Sequence, residues 1–164
     1  MLLVAACALV TMVLPMIVAL LTTAPTGTQP AGALVSLYAK ATGQVMTMPL
    51  EDYIVGVVAT EMPASFELEA LKAQAVAART YTMRKLAEAE ADPSARAGAD
   101  HRGAQICSDP GCCQAWRSRE ELAGAWGAAH YVGNIVKIVQ AVEATRGLVL
   151  CYGGELIDAV YHSC

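Results

Sequence analysis

The sequence is poor in charged residues and has no basic run. Charged residues make up 16% of the 164, and the formal net charge is −4. Lysine and arginine are scattered along the chain, and no stripe of alternating basic and aromatic residues occurs. Proteins that bind nucleic acids need a clustered positive surface to meet the phosphate backbone. The sequence therefore predicts no nucleic-acid partner.

Residues 1–24 lack any charged side chain and consist mainly of Leu, Val, Ala and Met. At about 1.5 Å of rise per residue, a helix of this length would span a hydrocarbon core of about 30 Å. Pro15 interrupts the stretch, which membrane helices tolerate. A buried core helix is the alternative, but such helices rarely run this long without a polar interruption. We therefore predict an N-terminal transmembrane helix over residues 1–24.

No basic residue precedes Lys40, so the n-region of a typical signal peptide is missing and flanking charge does not set the orientation. A small-x-small cleavage pattern occurs at 31–33, well beyond the apolar stretch. An uncleaved anchor is the expected outcome, which makes the chain a single-pass protein of the cell membrane. Thr, Pro and Gly are frequent in residues 25–32, and we interpret them as a linker to one domain over residues 33–164.

The residues after the linker predict an α+β domain of helices and short antiparallel strands. Two strands are expected at residues 33–39 and 44–48. A helix with one apolar face begins at Leu50 and should end near Met62, because Pro63 disfavours helical geometry in the residue before it.

Further elements are predicted towards the C-terminus. A helix is expected over residues 66–91 with Ser65 as its N-cap. Ser118 and Glu121 have the spacing of a capping box, which predicts a short helix through Trp126. The remaining predictions are a helix over 136–146 with Gly147 at its C-cap, and hairpin strands over 148–152 and 156–162.

A long loop is predicted over residues 92–117, and it contains a cluster of cysteines. The six cysteines of the chain are Cys7, Cys107, Cys112, Cys113, Cys151 and Cys164. Five of them lie outside the apolar stretch, and an odd number disfavours a simple disulfide framework. His101, Cys107 and Cys113 are separated by five residues each, and imidazole and thiolate are the ligands that Zn²⁺ prefers. Spacing alone leaves a zinc site and a disulfide from Cys107 to Cys112 or Cys113 equally open.

Glu61 has the most suggestive setting of the acidic residues, since two helical patterns meet at Pro63 beside it. A carboxylate at such a break is expected to be half-buried and to face a cleft, where general acid chemistry is usually found. Asp52 would lie on the opposite face of the helix and is not its partner. A lone acid suits a reaction in which the substrate supplies the nucleophile, whereas hydrolytic glycosidases need two carboxylates. An exposed acid at a helix end is the alternative.

Several segments, in matching order over about residues 34–164, resemble the stage II sporulation protein D family, which includes amidase-enhancer proteins. The most specific is Glu69-Ala-Leu-Lys-Ala-Gln-Ala-Val-Ala-Ala-Arg-Thr-Tyr81. The others are Leu50-Glu-Asp-Tyr-Ile-Val-Gly-Val-Val, Glu61-Met-Pro, Cys107-Ser-Asp-Pro, Cys113-Gln-Ala-Trp, Val142-Glu-Ala-Thr-Arg-Gly-Leu-Val-Leu150 and Asp158-Ala-Val-Tyr-His-Ser163.

The resemblance implies a membrane-anchored lytic transglycosylase that acts outside the cytoplasm on peptidoglycan glycan strands during sporulation and engulfment. The family's single acid corresponds to Glu61, which would cleave the bond between N-acetylmuramic acid and N-acetylglucosamine and leave a 1,6-anhydro product. The implied partners are the glycan strands, a cell-wall amidase and other membrane proteins of an engulfment complex. A non-catalytic module that enhances a partner amidase or binds glycan is the alternative function.

The resemblance also implies roles for particular side chains. Zinc-bearing members of the family carry a His-x5-Cys-x5-Cys pattern, which His101, Cys107 and Cys113 match, so the resemblance favours zinc over a disulfide. Cys112, next to Cys113, is the alternative third ligand. Family members continue beyond the His-Ser dipeptide into a glycine-rich segment, so the sequence is expected to be incomplete at its C-terminus. Glycan contacts, or structural roles in their place, are expected at Lys72, Gln74, Arg79, Tyr81, His162 and Ser163.

Overall fold

The computed structural model describes residues 32–92 and 101–161. The strands are β1 (Leu34–Ala39), β2 (Gln44–Pro49), β3 (Ile106–Cys107), β4 (Cys151–Tyr152) and β5 (Glu155–Leu156), and the helices are α1 (Leu50–Glu61), α2 (Leu68–Ala91), α3 (Arg119–Trp126) and α4 (Ala128–Ala144). Within these ranges, none of the helices combines the length and apolar character that a bilayer crossing requires. The anchor predicted over residues 1–24 lies outside the described residues, as do His162 and Ser163.

The predicted α+β class is confirmed, but the sheet is not purely antiparallel. Strands β2 and β1 form the expected antiparallel hairpin, and β3 joins the other edge of β1 in parallel, with Ile106 opposite Leu37. The side chain of Gln105 accepts a hydrogen bond from the backbone N–H of Ser36 at 2.9 Å, which fixes this register. Strand β3 lies inside the predicted loop over 92–117. A strand of two residues is too short to show a periodic pattern, which is why the sequence did not reveal it.

The first two helices differ in how well their ends were predicted. Helix α1 ends at Glu61 and Met62 is extended (φ −133°, ψ 132°), as Pro63 requires. Helix α2 begins only at Leu68, so the prediction of Ser65 as its N-cap was wrong. The N–H of Phe66 donates to the carbonyl of Pro63 at 3.0 Å, so the intervening residues form a separate turn.

The capping box that opens α3 is confirmed. The backbone N–H of Glu121 donates to the Ser118 hydroxyl at 3.2 Å, and the Ser118 N–H donates to the Glu121 carboxylate at 2.7 Å. Helix α4 begins at Ala128, well before the predicted start at 136, because Gly127 adopts φ 71° and lets α4 follow α3 directly. It ends at Ala144 with Thr145 rather than Gly147 as its C-cap, and the hairpin strands β4 and β5 are shorter than predicted.

Helix α1 lies at the centre of the core and packs against α2 and α4. The side chains of Tyr53, Ile54, Val57 and Val58 are completely buried. Asp52 is the one exposed residue of α1, and every other position is buried or half-buried. Each buried aliphatic side chain contributes about 1.5–3 kcal/mol of transfer free energy. The rigid placement of α1 therefore also fixes the position of its last residue, Glu61.

A buried ion pair joins α1 to α2. Arg79 is 0% exposed, Glu51 is 8% exposed, and the two form a bidentate contact with N···O distances of 3.1 and 2.7 Å. The remaining guanidinium N–H groups donate to the carbonyls of Ala75, Val142 and Leu148 at 3.2–3.4 Å. All five donors of Arg79 thus have partners inside the protein. The predicted glycan contact at Arg79 does not agree with this burial, and the structural role is the one that the geometry favours.

We predict that Arg79→Met lowers the free energy of unfolding by about 3–5 kcal/mol, because it leaves the buried Glu51 carboxylate without its counter-charge. The matched control is Arg146→Met, which breaks the exposed pair of Arg146 with Glu143 and should cost less than about 1 kcal/mol. Urea unfolding followed by circular dichroism measures both variants. Equal, small losses of unfolding free energy in the two variants would show that the buried pair contributes no more to stability than the exposed pair.

Candidate functional site

Glu61 is half-buried at the C-terminal end of α1 and faces a cleft of about 350 Å³. The other walls come from the middle of α2, from the turn that precedes Gln114, and from the segment that follows β5. The lining residues are Glu61, Tyr81, Pro110, Gly111, Cys112, Cys113, Gln114, Ala159, Val160 and Tyr161. The setting expected for Glu61 is therefore present, and Tyr81 is the predicted glycan-contact residue that shares the cleft with it.

The Glu61 carboxylate is held by the loop that faces it. The backbone N–H of Ala115 donates to Oε1 of Glu61 at 2.9 Å. The loop can come this close because Gly56 has no side chain: a Cβ there would lie 2.2 Å from Nε1 of Trp116 and 2.8 Å from the carbonyl oxygen of Arg117. The sequence signal for this contact was a glycine inside a helical pattern, which often marks close packing.

Gln114 connects the loop to both central helices. Its Oε1 accepts hydrogen bonds from the hydroxyls of Tyr53 (3.3 Å) and Thr82 (2.9 Å). Its Nε2 donates to the Ala78 carbonyl (3.4 Å) and to the Tyr161 hydroxyl (2.6 Å). A buried amide with two acceptor and two donor contacts is fully satisfied, and such a network rigidifies what it joins. Gln114 thus fixes the loop and Tyr161 around the cleft.

Tyr161 presents a neutral hydroxyl to the cleft. Burial raises its pKa, and the nearby negative charge of Glu61 raises the pKa further, while the hydrogen bond from Gln114 acts in the opposite direction. Because its oxygen accepts from Gln114, the hydroxyl proton of Tyr161 is free to be donated elsewhere. Neither Gln114 nor Tyr161 was predicted from the sequence to have a role, although they lie in the Cys-Gln-Ala-Trp and Tyr-His-Ser segments, respectively, that carry the family resemblance.

The other predicted contact residues on α2 differ in position. Burial raises the pKa of Tyr81, which keeps this hydroxyl neutral as well. The Gln74 amide lies close enough to the Tyr161 hydroxyl to lower the pKa of that tyrosine, yet its buried Nε2 lacks a hydrogen-bond partner of normal geometry among the described residues. Lys72 pairs with Glu69 at 2.7 Å and does not line the cleft. Their roles in binding glycan stay predictions.

A cluster of metal-ligand side chains adjoins the cleft. The ligand atoms of His101, Cys107, Cys112 and Cys113 all lie within 4.8 Å of one another. Nε2 of His101 is 3.2 Å from the Cys112 sulfur and 3.4 Å from the Cys113 sulfur. The ligands of tetrahedral Zn²⁺, at about 2.0–2.3 Å from the metal, are separated by about 3.3–3.8 Å, so this donor set fits the ion. Within the described part of the chain, Cys107, Cys112, Cys113 and Cys151 are free thiols, and the disulfide considered from the sequence is not formed.

The fold presents these ligands from a strand and a tight turn. Cys107 belongs to β3 and is buried beside β1. After it, the N–H of Cys113 donates to the Asp109 carbonyl at 2.8 Å, and the Asp109 carboxylate accepts from Gly111 N–H at 2.9 Å and pairs with Lys40. Burial raises the pKa of the Cys113 thiol to about 12. A thiol with so high a pKa is unreactive unless a bound cation deprotonates it.

The comparisons with known proteins agree on one family. The family described as "Stage II sporulation protein" matches residues 38–152. The chain is 37% identical over 129 residues to stage II sporulation protein D of Bacillus subtilis (strain 168) and, at the same identity, to that of Bacillus amyloliquefaciens, in both cases over 79% of the chain and 35% of the relative. It is 38% identical over 108 residues to the amidase enhancer of Bacillus subtilis (strain 168), over 66% of the chain and 11% of that protein. The chain thus spans about a third of the length of the sporulation proteins it matches.

We predict that Gly56→Ala lowers the free energy of unfolding by about 1–3 kcal/mol, because the added methyl group overlaps the Trp116 ring and pushes the loop off α1. Gly133→Ala in α4 is the matched control, since a Cβ there has no neighbour within 4 Å among the described residues and should add about 0.5–1 kcal/mol. Urea unfolding measures both. A Gly56 variant as stable as the Gly133 variant would contradict the close approach of Trp116.

Proposed function

The chain belongs to the stage II sporulation protein D family, and on this basis we propose that it is a membrane-anchored peptidoglycan lytic transglycosylase with Glu61 as its catalytic acid and base. The observation that supports this most is that Glu61 is the one carboxylate among the described residues lining the cleft. Hydrolytic glycosidases flank the scissile bond with two carboxylates. A cleft with a single acid suits a reaction in which a hydroxyl of the substrate replaces the second carboxylate and the attacking water.

The proposed reaction uses one proton carrier in two steps. Glu61 in its acid form donates a proton to the oxygen that links C1 of N-acetylmuramic acid to N-acetylglucosamine, and the C1–O bond breaks. The 6-hydroxyl of the same muramic acid residue then forms a bond to C1 and releases its proton to the Glu61 carboxylate. The product is a 1,6-anhydro sugar, no water is consumed, and Glu61 returns to its starting state.

The surroundings of Glu61 support this sequence of proton transfers. The Ala115 N–H orients the carboxyl group through Oε1, which leaves Oε2 for the proton exchange. Tyr81 and Tyr161 remain neutral and offer hydroxyl groups for hydrogen bonds to sugars. Lys72 lies on the same helix as Tyr81 but does not line the cleft, and its contact with a more distant part of the glycan strand belongs to the proposal. An amidase that removes the stem peptides would supply the preferred substrate.

We expect Glu61→Gln to reduce the release of 1,6-anhydro products by about 10²–10⁴-fold, because the amide can neither donate nor accept the transferred proton. The assay incubates the full chain with peptide-free glycan strands and measures the products by mass spectrometry. Glu67→Gln is the matched control, since this exposed acid lies just beyond the turn and does not line the cleft. Retained activity in a folded Glu61 variant would exclude the assignment.

The alternative function is a non-catalytic module that stimulates a partner amidase. It is supported by the 38% identity to the amidase enhancer of Bacillus subtilis. The same variant separates the two functions, because Glu61→Gln should leave amidase stimulation unchanged if the domain only binds glycan or protein. A loss of stimulation together with a loss of 1,6-anhydro products would favour the enzyme.

We also propose that His101, Cys107 and Cys113 hold a Zn²⁺ ion, as the donor types and their separations allow. Such an ion, once bound, joins β3 to the following turn. Because Cys113 is adjacent to Gln114 in the sequence, this connection would hold Gln114 and Ala115 in their contacts with the cleft. The protein residues, not the ion, carry the proton transfers described above.

We predict that Cys107→Ser reduces bound zinc from about one ion per chain to a small fraction, since it removes the one fully buried thiolate of the cluster. Elemental analysis of the purified full chain measures the zinc content. Cys151→Ser is the control, because this exposed cysteine lies on β4 and is not part of the cluster. Equal zinc in the two variants would exclude Cys107 as a ligand.

A further inference from the structure

Cys112 is the member of the metal-ligand cluster that the His-x5-Cys-x5-Cys pattern leaves unused. We propose that Cys112 is the fourth protein ligand of the metal, so that the centre is a closed site with three cysteines and one histidine. Such a site holds the loop in place and has no open position for water or substrate. The inference rests on the zinc site of the proposed function, and extends it to a residue with no role there.

The position of the Cys112 sulfur is the first argument. It lies 3.2 Å from Nε2 of His101, closer than the 3.4 Å that separates this nitrogen from the Cys113 sulfur. The Cys112 sulfur, like the ligand atom of each other member, lies within 4.8 Å of all the other ligand atoms of the cluster. A tetrahedral ion needs four donors at mutual separations of about 3.3–3.8 Å, and the Cys112 sulfur lies within reach of such a position.

The backbone explains how two consecutive cysteines can bind the same ion. The N–H groups of Cys112 and Cys113 both donate to the carbonyl of Asp109, at 3.1 and 2.8 Å. The turn carries both sulfurs to the same ring nitrogen, since Nε2 of His101 is 3.2 Å from Cys112 and 3.4 Å from Cys113. Consecutive cysteines in this turn can therefore face one point.

A fourth protein ligand would limit the role that the metal could have beside the cleft. With neutral histidine, two thiolates would balance the charge of a divalent ion, whereas three thiolates leave the centre with a net charge of −1. Cys112 and Cys113 both line the cleft that contains Glu61. A four-ligand anionic centre in this wall cannot bind a sugar hydroxyl directly. The metal therefore acts on the reaction only through the loop that carries Gln114 and Ala115.

Cobalt substitution tests the number of thiolate ligands. The full chain is loaded with Co²⁺, whose thiolate charge-transfer absorption increases with each bound sulfur. We expect the wild type to show a four-coordinate spectrum, Cys112→Ser to lose about one third of the charge-transfer intensity, and Cys151→Ser to match the wild type. Competition with a chelator should also show zinc affinity at least about 10–100-fold lower in Cys112→Ser, the range found for loss of weaker, outer-sphere partners.

The outcomes separate this inference from the proposal on which it rests. Identical cobalt spectra and zinc affinities for Cys112→Ser and the wild type would overturn the fourth ligand while leaving a three-ligand centre in place. Absence of metal binding by the folded wild type would overturn both. Because Cys112 is exposed, circular dichroism should show its serine variant folded like Cys151→Ser, so that a lower affinity reports on ligation rather than on unfolding.

Discussion

The buried ion pair between Arg79 and Glu51 is the interaction on which the arrangement of the helices depends. One guanidinium group binds a carboxylate of α1 and carbonyls that include those of Val142 and Leu148, so it fixes α1, α2 and the end of α4 together. Removing a charge from water costs several kcal/mol, and the pair adds little net stability compared with an apolar contact. We infer that its value is in specifying one arrangement, since any other leaves charges buried without partners.

The candidate site depends on that arrangement because its two walls come from different parts of the chain. Helix α1 ends at Glu61, and the facing loop is fixed to the same helix through Gly56 and to α2 through Gln114. The Ala115 N–H that orients Glu61 lies between these two anchoring points. A displacement of the loop by 1 Å would break this hydrogen bond. The acid and its partner are thus positioned by packing some distance from the cleft.

Signals that act through neighbouring residues were predictable from the sequence, and contacts between distant residues were not. Pro63 ends α1 and Ser118 caps α3 because each acts on the adjacent backbone. The parallel pairing of β3 depends on a partner about 70 residues away, and the four contacts of Gln114 come from three separate elements. The same limit applies to Arg79, which the resemblance suggested for glycan binding and which the fold buries. The helix break and the His/Cys spacing pointed to Glu61 and the ligand pattern, and the resemblance strengthened both, but the four-residue cluster that includes Cys112 is seen only in the folded turn.

The composition of the loop supports the proposed metal centre beside this cleft. Among the described residues, the buried apolar cluster around Cys107 consists of Tyr38, Ala104 and Cys107, with Cys113 packed against it, while α1 is surrounded by the main core. A cluster this small cannot offset the conformational entropy of ordering the turn, which costs about 1–2 kcal/mol per residue for the backbone alone. Small units of this kind need a covalent or metal cross-link. A metal held by the cysteines and His101 would supply that order where hydrophobic packing does not, and Gln114 would transmit it to the wall facing Glu61.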